Sequence, residues 1–209
     1  MSLDEQNPVD IKKEQGVSFY IVRHGQTDWN FEDKIQGFSD IPINDRGRAQ
    51  AQELRRIIAE VPFDWCYSSD LKRAYETAQI LIEGRQIPVQ IDSRLRERNY
   101  GPWEGTSGAQ YKKAAIEQLE DVESDESLNK RVFQFFEDVI SEVQEGTVLV
   151  VCHGGVIRNI IHHILKLSCL SGDIKVENMA LVRVTCLEGQ WYIDEMIGVH
   201  VPGEKEIVY

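Results

Sequence analysis

Thr147-Val-Leu-Val-Val-Cys152 is followed by His153-Gly154-Gly155 and by an apolar segment from Val156 to about Leu167. A short, continuous run of β-branched and aliphatic residues predicts a strand that is covered on both faces. The apolar segment after the two glycines predicts a helix. The repeating unit suggested by this stretch is a strand, a polar corner and a helix.

The same unit occurs twice more towards the N-terminus. Ser18-Phe-Tyr-Ile-Val22 predicts a buried strand that ends at the polar triplet Arg23-His24-Gly25. Phe63–Tyr67 predicts a second short strand, and Ser68-Ser69-Asp70 supplies candidate capping side chains for the next helix. The apolar face of that helix would consist of Leu71, Ala74, Ala78 and Leu81. Strands that alternate with helices predict an α/β fold with three α/β/α layers around a mainly parallel central sheet.

The remaining predicted elements complete this sheet and its helical layers. Residues 180–187 and 190–199 partly alternate between apolar and polar side chains and are joined by Glu188-Gly189, which predicts a hairpin and one antiparallel edge strand. Further helices are predicted from Asp45 to Glu60 and from about Ser127 to Val143. We expect one domain over residues 17–209, preceded by a flexible arm over residues 1–16. The polar segment 106–128, rich in Glu and Asp, is predicted to be a small cap insertion.

Composition and charge limit the classes of function. The chain of 209 residues has a net charge of −12, which disfavours binding to nucleic acids and anionic membranes. No apolar stretch approaches the roughly 20 residues of a membrane helix. The four cysteines form no CxxC pair, as expected of buried thiols in a reducing compartment. We therefore expect a cytoplasmic protein, with its oligomeric state open between monomer and homodimer.

Polar groups follow directly after all three predicted strand units. If the strands are parallel neighbours, Arg23-His24-Gly25, Ser68 to Arg73 and His153-Gly154-Gly155 meet in one crevice at their carboxyl ends. A cation in the first turn of a helix, as at Arg73, is unfavourable unless an anion lies nearby. Two glycines at a helix N-terminus allow backbone N–H groups to approach a phosphate. The sequence therefore predicts an anion site in this crevice.

Four motifs in register resemble the histidine phosphatase superfamily, also called the phosphoglycerate mutase-like family. The resemblance runs from about Phe19 to about Leu187. Its motifs are Val22-Arg-His-Gly-Gln-Thr27 with Asn30, Ser68-Ser-Asp-Leu-Lys-Arg-Ala-Tyr-Glu-Thr-Ala78, Leu95-Arg-Glu97 leading to Gly101-Pro-Trp-Glu-Gly105, and His153-Gly-Gly155.

The resemblance implies a role for each matching residue. His24 would accept a phosphoryl group from a small phosphorylated substrate, and Glu97 would donate a proton to the leaving group. The other residues expected to surround the substrate are Arg23, Arg73, His153, Asn30, Thr27 and Gly154. No metal ion and no cofactor are expected.

Physical chemistry agrees with these roles. A phosphoryl group in transfer spreads negative charge over three oxygens, so catalysis depends mainly on positioning and electrostatic stabilisation. Two guanidinium groups and a second imidazole suit that task. Adjacent arginines lower the pKa of an imidazole and would keep His24 neutral and nucleophilic. A bound phosphate dianion favours the protonated form of a neighbouring carboxyl such as Glu97.

Simpler explanations exist for several of these residues taken singly. His24 could be a structural histidine at a strand end, and His153 could be a capping residue whose imidazole bonds to a loop carbonyl. Arg73 could pair with Glu76 or Asp70 on an exposed helix face. Glu104 lies on the same loop as Glu97, and either carboxylate could pair with Arg94, Arg96 or Arg98.

Two fates of a phosphohistidine are compatible with the resemblance: hydrolysis and a phosphoglycerate mutase-like isomerisation. Residues 97–101 match the mutase loop at four of its five positions, with Asn99 where mutases carry histidine. Mutases also carry adjacent arginines that bind the substrate carboxylate, whereas residues 106–128 contain no arginine. His153-Gly-Gly155 replaces the mutase-like His-Gly-Asn. These features favour the small phosphatase branch.

Other classes of function have less support. A non-catalytic phosphate-binding protein would have lost the nucleophile or the proton donor, and a metallohydrolase would need histidines clustered with carboxylates. We assign no catalytic role to Arg158, which is expected to serve the structure or the cavity rim, nor to His162-His163 or His200. The leaving-group pocket is predicted to be shaped by the acidic insertion with Trp103, Tyr100 and Tyr111; the sequence does not name the substrate.

Overall fold

Six strands form one mixed sheet in the order β3-β2-β4-β1-β5-β6. The computed structural model describes residues 16–114, 121–167 and 173–202. The strands are β1 Val17–Arg23, β2 Trp65–Ser68, β3 Val89–Ile91, β4 Gly146–Cys152, β5 Lys175–Leu187 and β6 Gln190–His200.

Parallel pairing dominates the sheet, as predicted. β4 pairs in parallel with both β1 and β2, and β2 pairs in parallel with β3. β5 runs antiparallel to β1, and β6 at the edge pairs antiparallel with β5. The hairpin between them turns on Glu188 and Gly189, whose φ angles of 50° and 78° suit a tight two-residue connection. The predicted antiparallel edge is therefore confirmed.

Helices cover both faces of the sheet and give the three predicted layers. α5 and α6 pack on one face, where they share a core with Val148, Val150 and Cys152 of β4. α2 and α3 pack on the opposite face with Leu149 and Val151. The helices are α1 Asp28–Phe31, α2 Asp45–Ile57, α3 Lys72–Leu81, α4 Gly108–Ala114, α5 Asp125–Val143 and α6 Gly154–Leu165, with 3₁₀ turns at Ser93–Leu95 and Gly101–Trp103.

β4 is the centre of the core. Its residues from Val148 to Cys152 are all 0% exposed, which explains why its sequence is continuously apolar instead of alternating. Truncating a buried aliphatic side chain such as Leu149 to alanine would cost about 2–5 kcal/mol of unfolding free energy. β4, which ends directly before His153, is thus packed against helices on both faces.

Strand register brings the polar corners together. Arg23 of β1 lies opposite Cys152 of β4, and Ser68 of β2 lies opposite Val151. The pairing continues past the strands, because the backbone N–H of His24 donates to the carbonyl of Cys152 at 3.0 Å and that of Ser69 donates to Val151 at 3.0 Å. The three strands therefore end at nearly the same level.

The predicted capping of α3 is wrong. Leu71 is the N-cap and makes no side-chain capping bond. The hydroxyl of Ser68 donates to the carbonyl of Ser69, and that of Ser69 accepts from the N–H of Leu71 at 3.3 Å, before the helix begins. The first helical N–H, that of Lys72, is instead bonded at 2.7 Å by Asp40, which is distant in sequence.

Parts of other sequence predictions lie outside the described residues. These parts are residues 1–15 of the predicted arm, residues 115–120 of the predicted insertion, and residues 168–172 and 203–209 of the predicted domain, which include Cys169. The rest of the insertion contains α4 and the first residues of α5. Cys66, Cys152 and Cys186 are free and buried, as predicted.

Candidate active site

His24 follows β1 immediately and is 2% exposed. Its Nδ1 lies 2.8 Å from the carbonyl oxygen of Gly25. A carbonyl oxygen only accepts, so Nδ1 carries the proton and the lone pair of the neutral ring is on Nε2. The ring thus has one nitrogen held by the backbone and one available as a nucleophile.

Gly25 is held by helices on either side. Its N–H donates to the hydroxyl of Thr77 on α3 at 3.1 Å, and that hydroxyl donates in turn to the carbonyl of Arg73. A Cβ atom on Gly25 would lie 2.6 Å from the carbonyl oxygen of Gly47 on α2. Only glycine allows this approach, which fixes the backbone beside His24.

His153 occupies the equivalent position after β4. It is 0% exposed, and its ring centroid lies 5.2 Å from that of His24. Its Nδ1 lies 3.2 Å from Nε of Arg73, which can only donate, so the proton of the neutral imidazole is on Nε2. That buried Nε2 has no hydrogen-bond partner in the part of the chain that the structure describes.

Arg73 is fully buried in the first turn of α3. Its terminal nitrogens donate to the carbonyls of Ser39 and Gly37, each at 2.7 Å. With the bond to His153, these contacts use three of the five N–H groups of a guanidinium and leave two for an anion. The alternative pairing with Asp70 or Glu76 is not observed, because those carboxylates pair with other arginines.

Glu104 fixes the loop that holds Arg73. Its carboxylate accepts from the N–H of Phe38 and from both the N–H and the hydroxyl of Ser39, at 2.7 to 2.8 Å. The N–H of Tyr100 also donates to it, at 3.3 Å. All of these bonds are to groups of the protein. The carboxylate thus connects the loop around Tyr100 to the loop that binds Arg73, whose Nε donates to His153.

Arg23 adds a second guanidinium to the crevice. One terminal nitrogen donates to the carbonyl of Val176 at 2.6 Å. Its Nε is buried and lacks a partner among the described residues. A Cβ atom on Gly154 would lie 3.4 Å from this Nε, so the arginine packs against the N-terminus of α6. Unpartnered N–H groups of Arg23 and His153 therefore lie beside a helix terminus that itself favours anions.

Burial, together with the positive charge of the crevice, lowers the pKa values of its imidazoles. Burial, then the charges of Arg73 and Arg23, lower the pKa of His24 well below its usual 6.5. Burial and then Arg73 do the same to the pKa of His153. Burial also lowers the pKa of Arg23 and that of Arg73 to about 10, which leaves both charged at neutral pH. The ligand-free site thus combines two neutral imidazoles with two cations.

Glu97 lies against the N-terminus of α6. Its carboxylate accepts from the N–H of Gly155 at 3.0 Å and from the N–H of Arg98 at 2.8 Å. A Cβ atom on Gly155 would lie only 2.0 Å from Oε1 of Glu97. The arginines proposed as simple ion-pair partners bind elsewhere: Arg94 to Asp92 and Asp138, Arg96 to Asp70, and Arg98 to Asp125.

Thr27 and Asn30 form a capping box at the start of α1. The hydroxyl of Thr27 donates to Oε1 of Gln36 at 3.0 Å and is completely buried. Oδ1 of Asn30 accepts from the N–H of Thr27 and from the amide of Asn178, at 3.2 and 3.1 Å. Because its oxygen is held, the amide nitrogen of Asn30 is the part that can donate to a ligand. The ligand-binding role of Thr27 remains a prediction.

Every residue predicted for the site is thus connected to this crevice, directly or through the α1 cap. The supporting roles of three residues were not predicted from the sequence. Asn178 donates to the carbonyl of His24 at 3.1 Å. Arg131 on α5 binds the carbonyls of Arg94, Arg96 and Glu97 at 2.6 to 2.8 Å, and Glu104 holds the loop described above. The signal available for Arg131 was its position on the otherwise apolar inner face of a helix. The sequence offered no such signal for Asn178.

Within residues 16–114, 121–167 and 173–202, no group of three or more His, Cys, Asp or Glu side chains is arranged to hold a metal ion. None of the helices described is long and apolar enough to cross a membrane.

The chain is similar to proteins named as phosphatases and as mutase-like. The chain is 36% identical over 171 residues to phosphoglycerate mutase-like protein 4 of Arabidopsis thaliana, covering 75% of this chain and 74% of that protein. It is 33% identical over 190 residues to the uncharacterized phosphatase PhoE of Bacillus subtilis, covering 88% and 96%. The structure superimposes on a phosphoserine phosphatase mutant of Entamoeba histolytica in complex with phosphoserine with a TM-score of 0.76, at 26% identity, covering 86% and 96%.

The family model of the histidine phosphatase superfamily (branch 1) matches residues 19–197, which include both strand-end histidines and the loop that carries Glu97. That range begins within β1 and ends within β6. The chain therefore belongs to the histidine phosphatase superfamily, branch 1.

Proposed function

We propose that the protein hydrolyses the phosphomonoester of a small phosphorylated metabolite through a phosphohistidine at His24. The observation that carries this proposal is a buried, neutral His24, whose Nε2 holds the lone pair, beside N–H groups of Arg23 and His153 that have no partner among the described residues. A nucleophile beside fixed donors is what transfer of an anionic group requires.

In the first step, Nε2 of His24 attacks the phosphorus atom and the ester P–O bond breaks. The carboxylic acid of Glu97 gives its proton to the departing oxygen, so the alcohol leaves neutral. Guanidinium N–H groups of Arg23 and Arg73, with Nε2–H of His153, bond to the phosphoryl oxygens. These donors are already fixed by the fold and need little reorganisation as charge shifts.

In the second step, a water molecule attacks the phosphohistidine. The Glu97 carboxylate takes a proton from that water, the N–P bond breaks and inorganic phosphate is released. Glu97 returns to its acid form and His24 recovers its lone pair. Each cycle consumes one ester and one water molecule and releases one alcohol and one inorganic phosphate.

Relatives include both phosphatases and mutase-like proteins, so the fate of the phosphohistidine needs its own support. Two observations favour water as the acceptor. Arg98, on the loop that resembles that of mutases, is paired with Asp125 and with the carbonyl of Glu123. Asn99, at the position of the mutase histidine, bonds to the N–H of Gly101 at 2.8 Å. Both side chains are thus already bonded to other groups of the protein.

We also propose that residues 17–209 form one domain with an arm over residues 1–16 and a cap insertion over residues 106–128. The protein is proposed to act in the cytoplasm, without a metal ion, and with no nucleic-acid or membrane partner. The net charge of −12 supports the last point. Sedimentation will decide between monomer and homodimer.

The proposal is tested with a panel of phosphomonoesters assayed in the presence of a chelator. Wild type should release phosphate, and a quenched reaction should contain an acid-labile phosphoenzyme. His24→Ala should lose both. His200→Ala is the matched control, because His200 is exposed and bonds to Glu177 at the sheet edge. Full activity of His24→Ala would refute the proposal, and isomerisation of 3-phosphoglycerate faster than its hydrolysis would favour the mutase alternative.

A further inference from the structure

A bulge in β5 lies where this strand passes behind the nucleophile. In the pairing of β5 with β6, the four residues 177–180 lie opposite the single residue Gly198. Met179 in this bulge has a φ of 61°, a left-handed conformation that costs a side chain other than glycine about 1–2 kcal/mol. Bulges and unfavourable backbone angles are typical of places where a strand aims a side chain at a functional site. The side chain that the bulge aims at the crevice is Asn178, which reaches the backbone of His24.

The amide nitrogen of Asn178 donates two hydrogen bonds. One goes to the carbonyl oxygen of His24 and the other to Oδ1 of Asn30, both at 3.1 Å. Obligatory donors and acceptors fix the orientation of both amides. The backbone N–H of Thr27 can only donate, so the atom of Asn30 that it meets at 3.2 Å is the oxygen. That oxygen and the carbonyl of His24 can only accept, so the nitrogen of Asn178 lies between them.

Asn178 determines which end of the Asn30 amide can face a ligand. The two bonds from Thr27 and Asn178 fill both lone pairs of Oδ1 in Asn30. Nδ2 of Asn30 makes no hydrogen bond within the described part of the chain, so it is the donor available to a phosphoryl oxygen. Without Asn178 the amide of Asn30 would be held by Thr27 alone, and its rotation would no longer be opposed from the side of β5.

Asn178 also holds the peptide group that follows the nucleophile. The carbonyl of His24 accepts from Asn178 on β5, and the N–H of Gly25 donates to Thr77 on α3 at 3.1 Å. Because a peptide group is planar, these two bonds at its opposite ends fix its plane. The imidazole of His24 bonds through Nδ1 to the next carbonyl, that of Gly25. The bond from Asn178 therefore supports the backbone that orients the ring.

We propose that Asn178 is a positioning residue, which holds the nucleophile His24 and the phosphoryl-binding amide of Asn30 in fixed relative positions through one nitrogen atom. The inference rests on the proposed function and adds a residue to its site. Both N–H groups of the Asn178 amide nitrogen are bonded to the protein, so Asn178 acts through its two partners. Its loss should therefore appear partly in the binding of phosphate, through Asn30, and partly in the rate, through His24.

A double-mutant cycle with Asn178→Leu and Asn30→Ala tests the inference. Leucine has a volume similar to that of asparagine and donates no hydrogen bond. Calorimetric titration with inorganic phosphate should show affinity about tenfold lower in Asn30→Ala, as expected for the loss of a charged hydrogen bond, and nearly as low in Asn178→Leu. The double variant should bind phosphate no more weakly than Asn30→Ala. Its kcat/KM should nevertheless be about threefold to tenfold below that of Asn30→Ala, because the carbonyl of His24 has also been released.

Two further variants separate positioning from packing. Asn178→Asp keeps the shape of the side chain and turns an oxygen towards two oxygens. A packing role would leave it near wild type, whereas a positioning role predicts a loss at least as large as in Asn178→Leu, and it replaces that variant in the cycle if leucine prevents folding. Thr185→Val is the matched control, because Thr185 is half-buried on the same strand and donates to Asp194 at 2.7 Å. It should change neither phosphate affinity nor kcat/KM.

Phosphate affinity that falls by the same factor when Asn178→Leu is added to wild type and to Asn30→Ala would overturn the inference. Activity near that of wild type in Asn178→Asp would overturn it as well. Either result would leave the proposed function intact. Failure of wild type to hydrolyse any phosphomonoester, with no phosphoenzyme on His24, would instead refute the function, and the phosphate titrations would still decide whether Asn178 acts through Asn30.

Discussion

Gly155→Ala should displace the proton donor Glu97 while leaving its residue type unchanged. A methyl group on residue 155 would lie 2.0 Å from Oε1 of Glu97. Apolar carbon needs about 3.4 Å or more, so the carboxylate must retreat by about 1.4 Å or rotate away. It would also lose its 3.0 Å bond from the N–H of residue 155. A misplacement of about 1 Å at a reacting group can cost roughly a hundredfold in rate.

We therefore expect kcat/KM for an alkyl phosphate to fall by about a hundredfold in Gly155→Ala. The value for p-nitrophenyl phosphate should fall by less than about tenfold, because that leaving group departs without a proton. The parameter kcat/KM is the one to compare, since it reports phosphoryl transfer to His24 and excludes the later hydrolysis. Fold loss is not expected, because alanine is the better helix former by about 1 kcal/mol. Thermal unfolding checks this point.

A double-mutant cycle decides whether the effect passes through Glu97. In a Glu97→Ala background the obstructed carboxylate is gone, so adding Gly155→Ala should cost nothing further. Gly154→Ala provides a steric comparison, since its methyl group would meet Nε of Arg23 at 3.4 Å, an ordinary contact, and it should lose less activity. Additive losses in the cycle, or equal losses on alkyl and aryl phosphates, would refute the reasoning.

Three further predictions follow from the contacts of the site. Glu104→Gln should lower kcat on all esters by about tenfold or more, because the loop that fixes Arg73 loses charged hydrogen bonds; circular dichroism and kinetics on the same sample check that the fold survives. The free energy of unfolding should fall as pH drops below about 6.5, by up to about 1.4 kcal/mol per unit for each of His24 and His153, since their pKa values are depressed only in the folded state and the unfolded chain takes up the protons. Urea unfolding between pH 5 and 7.5 measures this slope, and His24→Asn should reduce it. An unchanged slope in this variant would mean that the ring of His24 is exposed and takes up its proton in the folded state as well. Arg131→Met should cost about 2–4 kcal/mol in unfolding free energy, because it leaves three carbonyls unbonded. An unchanged urea midpoint would contradict this prediction.

The sequence was most informative where one physical requirement determines the residue type. The strand Thr147–Cys152 had to be apolar throughout because helices cover both of its faces, and the structure confirms it as β4. The Glu188-Gly189 turn was predictable because few residues accept positive φ angles. β5 extends further towards the N-terminus than predicted, to Lys175. A register shift between Val176 and Leu181 interrupts the alternation by which strands are recognised.

Prediction failed where contacts between distant segments determine the outcome. Asp40 caps α3 across 32 residues of sequence, so no local pattern could reveal it, and the adjacent serines were the natural but wrong choice. The convergence of Arg23, His24 and His153 followed from motif order and strand direction. The supporting network of Asn178, Arg131 and Glu104 did not, because each of these residues acts on a backbone group far along the chain.

Among the described residues, Nε of Arg23 and Nε2 of His153 are buried without an acceptor, and this bears on how substitutions at the site change stability. A buried donor without an acceptor costs about 1–3 kcal/mol of unfolding free energy. Replacing His153 with an apolar side chain would remove one such donor, but it would also take the acceptor away from Nε of Arg73, so little stability would be gained and a donor of the site would be lost. Selection for thermostability therefore needs a simultaneous screen for turnover.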